Sequence, residues 1–170
     1  MIVRLSQKLN SRVKAGKLEP HALADNPFVD WSCHSFNVSR TQYIIFCNTD
    51  TLLSCVSLRN GVTSPATLTQ RALETIGSFL SDLGYESIFE EHIRPEAEHV
   101  QFAKALNRSV TGSINDLVLG VKYGLDDGLT PNEVSNRLIE TPLSALKARD
   151  SHGYGCPDLV FEQLANGHSQ

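Results

Sequence analysis

The chain has 170 residues, 41% hydrophobic and 20% charged, the proportions of an ordinary globular domain able to bury a core without disulfide or metal staples. No apolar run approaches the length of about eighteen residues that a membrane span needs, and Met1-Ile2-Val3-Arg4-Leu5 lacks the basic-then-apolar plan of a signal peptide. The net charge of −4 is uneven: residues 1–60 hold seven Lys or Arg against four acids, and the remainder eight against fifteen. A basic head therefore precedes an acidic body. Its five cations before Glu19 lack the interleaved aromatics of a nucleic-acid surface, which argues against nucleic acid as the partner.

In chain order, residues 1–5 predict a first strand. Ser6 can cap a short helix carrying Leu5, Leu9 and Val13 on one side and ending at Gly16. Pro20, Asp25, Asn26, Pro27 and Asp30 mark residues 17–30 as a loop. Trp31–Val38 and Gln42–Cys47 are rich in aromatic and β-branched residues around Ser39-Arg40-Thr41, predicting an antiparallel hairpin. Asn48-Thr49-Asp50 turns the chain into a third strand from Thr51 to Leu58. After Gly61 the period lengthens to 3.6. Thr67 and Gln70 predict a capping box for a helix lined by Leu68, Ala72, Ile76, Phe79, Leu80 and Leu83. A helix is expected after Pro95, with Val100, Ala103 and Leu106 inward, then a longer one to Gly124. Thr130-Pro131-Asn132-Glu133 starts another that closes before Pro142. From Ala148 onward the chain predicts an extended arm with a short helix near Asp158–Leu164 and Tyr154 pinning it.

Asn107–Asp116 is the most informative stretch. Wound at about 100° per residue, it puts Val110, Ile114, Leu117, Val118 and Val121 on a core face. Arg108, Ser109, Gly112, Asn115 and Asp116 share an arc roughly 120° wide on the other side. A fork-shaped cation, a hydroxyl, a carboxamide and a carboxylate thus surround a position with no side chain. Arg108 and Asn115 suit a carboxylate, phosphate or amide group, and Gly112 permits close approach. Solvent, or a second helix accepted by Gly112, explains the arc equally well. Ser109 lacks the strand-turn setting of a nucleophile.

Other candidates carry less. Trp31, His34 and Arg40 cluster on the hairpin, with His34 an acid–base candidate and Trp31 an anchor. Glu96 and His99 have the i, i+3 spacing of a di-iron ligand pair, but no second copy exists. Cys33, Cys47, Cys55 and Cys156 show no metal-ligand spacing and are expected as free thiols in a reducing cytoplasm. Neither a cofactor nor a metal is expected, and no catalytic residue is assigned.

Several segments together resemble a known family. Ser6-Gln7-Lys8-Leu9 follows the first strand; Arg40 precedes Tyr43-Ile-Ile-Phe-Cys-Asn48-Thr49; Arg108-Ser109-x-x-Gly112-x-x-Asn115-Asp116 and Thr141-Pro142-Leu143 come later. This pattern resembles an uncharacterised bacterial domain family of unknown function over about residues 1–147. The resemblance implies no activity, substrate or cofactor. It does imply that Arg108, Ser109, Gly112 and Asn115 belong to a shared pattern.

The fold expected is α+β: a small antiparallel β-meander from the N-terminal third packed against a layer of three to five helices. Residues 1–147 form the domain and 148–170 a C-terminal arm. The function expected is a non-catalytic binding module, with Arg108, Ser109, Gly112, Asn115 and Asp116 contacting a small anionic ligand or protein partner. Asn48, at a strand end, is expected beside them. Two alternatives stand: a small hydrolase or transferase with His34 as base and Arg108 as oxyanion partner, and a nucleic-acid or toxin–antitoxin type protein acting through the basic head.

Overall fold

A computed structural model describes residues 1–146 and 155–168. β1 (Ile2–Leu5) passes directly into α1 (Gln7–Val13), where the Ser6 hydroxyl accepts the Leu9 amide at 3.2 Å. Lys14, in the left-handed region at φ 58°, ends α1 two residues before Gly16. A loop with one 3-10 turn (Pro27–Val29) leads to β2 (Asp30–Val38), β3 (Thr41–Asn48) and β4 (Ser54–Leu58). These three make the expected antiparallel meander, with Cys33 opposite Phe46 and Phe46 opposite Cys55.

The sheet is mixed rather than antiparallel throughout. β1 lies parallel to β2, with Val3 opposite Trp31. The crossover through α1 and the loop returns the chain to the end from which it started, and only a parallel pairing results. The other neighbour of β1 is β5 (Gln101–Ala103), also parallel, giving the order β4-β3-β2-β1-β5. This replaces the helix expected after Pro95. Pro95 opens only a 3-10 turn, Pro95–Glu98. The three-residue spacing of Val100 and Ala103 imitates a helix, but the unpaired backbone edge of β1 takes these residues as a strand.

α2 (Pro65–Asp82) starts earlier than expected, with Ser64 and Thr67 forming the capping box and Pro65 in the first turn. α3 (Glu86–Ile88) widens into a π-turn, Phe89–Ile93, that periodicity does not announce. α4 (Arg108–Asp126) is capped by Asn107, whose side chain accepts the Val110 amide at 2.9 Å. α5 (Pro131–Leu138) begins at the expected Thr130–Glu133 box. α6 is Pro157–His168.

Helices cover both faces of the sheet, not one. Val3, Leu5, Trp31, Cys33, Ile44, Phe46 and Cys55 pack beneath α1, α2 and α6. Phe36, Val38, Ile45, Cys47 and Val56 pack beneath α4 and α5. Tyr43-Ile-Ile-Phe-Cys47 is apolar at every position, and such a strand requires a cover on each side. The tail contributes to the first core: Phe161 is fully buried, edge-on to Phe28 at 5.7 Å and to Tyr85 at 5.1 Å. The expectation for Tyr154 falls outside the described residues. Among the described residues no helix is long and apolar enough to cross a membrane.

Candidate functional site

The strands that meet at β1 differ in length, and the mismatch creates a site. β1 ends at Leu5 opposite Cys33, and β5 at Ala103 opposite Arg4, whereas β2 continues to Val38. His34 is therefore the first β2 residue with no strand beside it on that flank. Past the carboxyl ends of β1 and β5, a region where open sheets commonly bind ligands, lies a cavity of about 690 Å³. Ser6, Gln7, Lys17, His34, Lys104 and Thr111 supply its polar lining, and Leu5, Leu18 and Ala105 its apolar walls. That volume and mixture are typical of a small-molecule pocket.

The frame of this cavity is held by a buried ion pair. Arg4 and Asp30 are 1% and 0% exposed and meet through two bonds, Nε to Oδ1 and Nη2 to Oδ2, both 2.8 Å. The remaining guanidinium hydrogens reach the carbonyls of His21 (2.9 Å), Ala22 (2.8 Å) and Lys104 (3.3 Å). Asp30 Oδ2 also accepts the Ala24 amide at 3.1 Å. All five donors of Arg4 are used, so it fastens the 21–24 loop and the exit of β5 to the sheet and offers nothing to a ligand. The basic head accordingly presents Lys8, Arg12, Lys14 and Lys17, all exposed, without Arg4.

Electrostatically the cavity combines cations with a neutral ring. Burial pushes the His34 pKa below its ordinary 6.5, so at pH 7 one ring nitrogen donates and the other accepts. His34 makes no hydrogen bond among the described residues. Lys17 pairs with Glu19 at 2.9 Å on the surface, while Lys104 has no ion pair among the described residues. The arrangement can hold an anionic group by its ammonium groups and orient a polar atom against the imidazole.

The arc singled out on α4 is placed as its period requires. Ile114, Leu117 and Val121 are buried, and Arg108, Ser109, Gly112, Asn115 and Asp116 are all exposed. They lie together on the outward side of α4 and do not line the cavity; Thr111, on the flank of the arc, does. A Cβ built on Gly112 would meet nothing within 4 Å, so no second helix among the described residues fills the position.

Asn48 is not beside them. Its register partner is Trp31, on the sheet face opposite α4. It is fully buried, donating to the carbonyls of Pro27 (2.8 Å) and Asp30 (3.4 Å) and accepting from the Thr51 amide and hydroxyl, both at 3.0 Å. Asn48 is a turn-closing residue with no capacity left for a ligand.

The hairpin cluster does not converge either. Trp31 is buried and donates to the Phe28 carbonyl at 2.8 Å, His34 points to the other face, and Arg40 is exposed at the hairpin tip. His34 shares its sheet face with α4, but Arg108 is not among the cavity residues. Glu96 lies within a 3-10 turn that His99 ends, and no group of three metal-ligating side chains comes together among the described residues.

Sequence reasoning missed Lys17, Lys104 and Thr111 as neighbours of His34. With His34 they come from four segments, the loop after α1, β2, the exit of β5 and α4, which only the tertiary fold brings together, so no local spacing links them. Comparison with curated proteins gives no match. A family model matches residues 2–159, which takes in the sheet, the cavity, the α4 arc and the first residues of α6. The chain thus belongs to the family described as a domain of unknown function (DUF6933).

Proposed function

We propose that the protein is a non-catalytic binding module for a small anionic molecule, held in the cavity at the carboxyl ends of β1 and β5. The observation that carries this reading is the neutral His34 ring, without a hydrogen-bond partner among the described residues, in the same cavity as Lys104. A largely apolar pocket with a few convergent polar groups supports binding. The small hydrolase or transferase reading draws its support from His34 alone, since no hydroxyl or thiol bonds to its ring among the described residues. The unpaired, buried Cys33, Cys47 and Cys55 support a reducing cytoplasmic setting, and the resemblance noted above supports a bacterial one.

The test is an NMR titration with inorganic phosphate, acetate and citrate, each against the unaltered protein and Lys104→Ala. Binding moves the amide signals of His34, Ala105 and Thr111, and Lys104→Ala weakens it at least about tenfold, the share of one charge-assisted contact. Shifts confined to other surfaces, or an affinity indifferent to Lys104, would overturn the assignment.

A further inference from the structure

α4 has an outward face with no covering element among the described residues, and its chemistry is polarised along its length. Over its 19 residues, Arg108, Gly112, Asn115, Leu119, Tyr123 and Asp126 fall within an arc of about 80°. The amino-terminal half of this stripe carries a cation and a hollow. Arg108 is exposed, and the space above Gly112 is open to at least 4 Å. The carboxyl-terminal half carries projections and acids. Leu119 and Tyr123 are 53% and 66% exposed, among the four large hydrophobic side chains most open to water, and Asp126 and Asp127 follow them. Leu119 and Tyr123, one turn apart, give this face a contiguous apolar pair that a partner would bury.

We infer that this face docks against the same face of a second copy of the chain, with the two α4 helices antiparallel. A twofold axis between Leu117 and Val118 brings position 112 of one helix opposite position 123 of the other. The Tyr123 ring then fills the hollow over the second copy's Gly112, and each contact occurs twice, as a self-complementary interface requires. The same register sets Arg108 beside the second copy's Asp126 and Asp127. A parallel arrangement would instead place Tyr123 on Tyr123 and Arg108 on Arg108, leaving both hollows empty and like charges together. Size and charge therefore select a second copy, in one orientation. One helix face is a small interface, so the dimer is expected in the micromolar range of dissociation constants.

Sedimentation velocity over a protein concentration series tests this. The unaltered chain should shift from monomer to dimer, and added salt should weaken the dimer. Tyr123→Glu and Gly112→Gln should each abolish it. The decisive arm is a charge exchange: Arg108→Asp in one chain, Asp126→Lys with Asp127→Lys in another. Each should be monomeric alone, and their mixture should restore a dimer with at least a tenfold gain over either. An acid at the start of α4 and cations at its end suit the helix dipole, so lost association would not reflect lost helix, and Trp31 fluorescence verifies the fold. A monomer at concentrations up to about 0.5 mM overturns the inference. So does a dimer that Tyr123→Glu and the charge exchange leave unchanged.

Discussion

Replacing Arg4 by Met keeps the length and apolar stem of the side chain but removes its guanidinium. The change strips Asp30, fully buried, of two 2.8 Å bonds and leaves it only the Ala24 amide. It also leaves the His21, Ala22 and Lys104 carbonyls without their Arg4 donors. Breaking one side of a buried pair typically costs 3–5 kcal/mol because the partner charge stays in low dielectric. Some of the three carbonyls sit near the surface and recover water, so we expect a total of about 4 kcal/mol rather than a sum over every lost bond. At 2–4 °C per kcal/mol for a chain of this size, the melting temperature should fall by about 8–16 °C. Urea denaturation followed by Trp31 fluorescence reads this directly, since Trp31 is buried and the only tryptophan. Arg4→Lys should recover only part of the loss, because three ammonium donors cannot replace a five-donor fork. Arg4→Met with Asp30→Leu should lie above Arg4→Met alone. A loss under about 1 kcal/mol for Arg4→Met would refute the claim that this pair holds the cavity frame.

Asn48→Ala should cost about 2–3 kcal/mol in the same assay, since it removes four hydrogen bonds at a fully buried turn; near-neutrality would return Asn48 to the list of free polar groups. Gly112→Ala should stabilise a monomeric sample by up to about 1 kcal/mol, because its Cβ meets nothing and Ala is the better helix former. Gly124→Ala should go the other way by about 1 kcal/mol or more, its Cβ falling 2.9 Å from Val134 Cγ2; equal signs would contradict the packing of α4 on α5. His34 has a folded pKa below its unfolded 6.5, so the unfolded chain binds the proton first. Its contribution is whole above pH 6.5 and is lost as pH falls toward and through the folded value. Stability measured from pH 7.5 down to 5 should therefore decline less steeply in His34→Gln; an identical slope would mean the ring is not desolvated.

Local chemistry was readable wherever a cap or a period sufficed. Ser6, Thr130 and Glu133 declared two helix starts, and the α4 core stripe of Ile114, Leu117 and Val121 followed from spacing alone. Errors came where a distant partner decided. Gln101–Ala103 is a strand only because β1 offers an edge, and no window around it contains that information. The Arg4–Asp30 pair had a faint signal, a charge between Val3 and Leu5 in a strand apolar on both sides, but its partner sits on another strand. Asn48 had the opposite problem. Asn-Thr-Asp is turn chemistry, and closing that turn uses every donor and acceptor of the Asn48 side chain.

The position of Phe161 has a consequence for synthesis. Its ring closes the space between Phe28 and Tyr85, yet α6, which carries it, is made after β1–β5 and α1–α5. Until then a nascent chain carries a sheet whose first core is open at those two aromatics, while the second core, beneath α4 and α5, can already close. Folding is thus expected to close the face of α4 and α5 before the face of α1, α2 and α6. A chain cut between α5 and α6 is accordingly expected to keep the second core and to expose Phe28 and Tyr85 on the first.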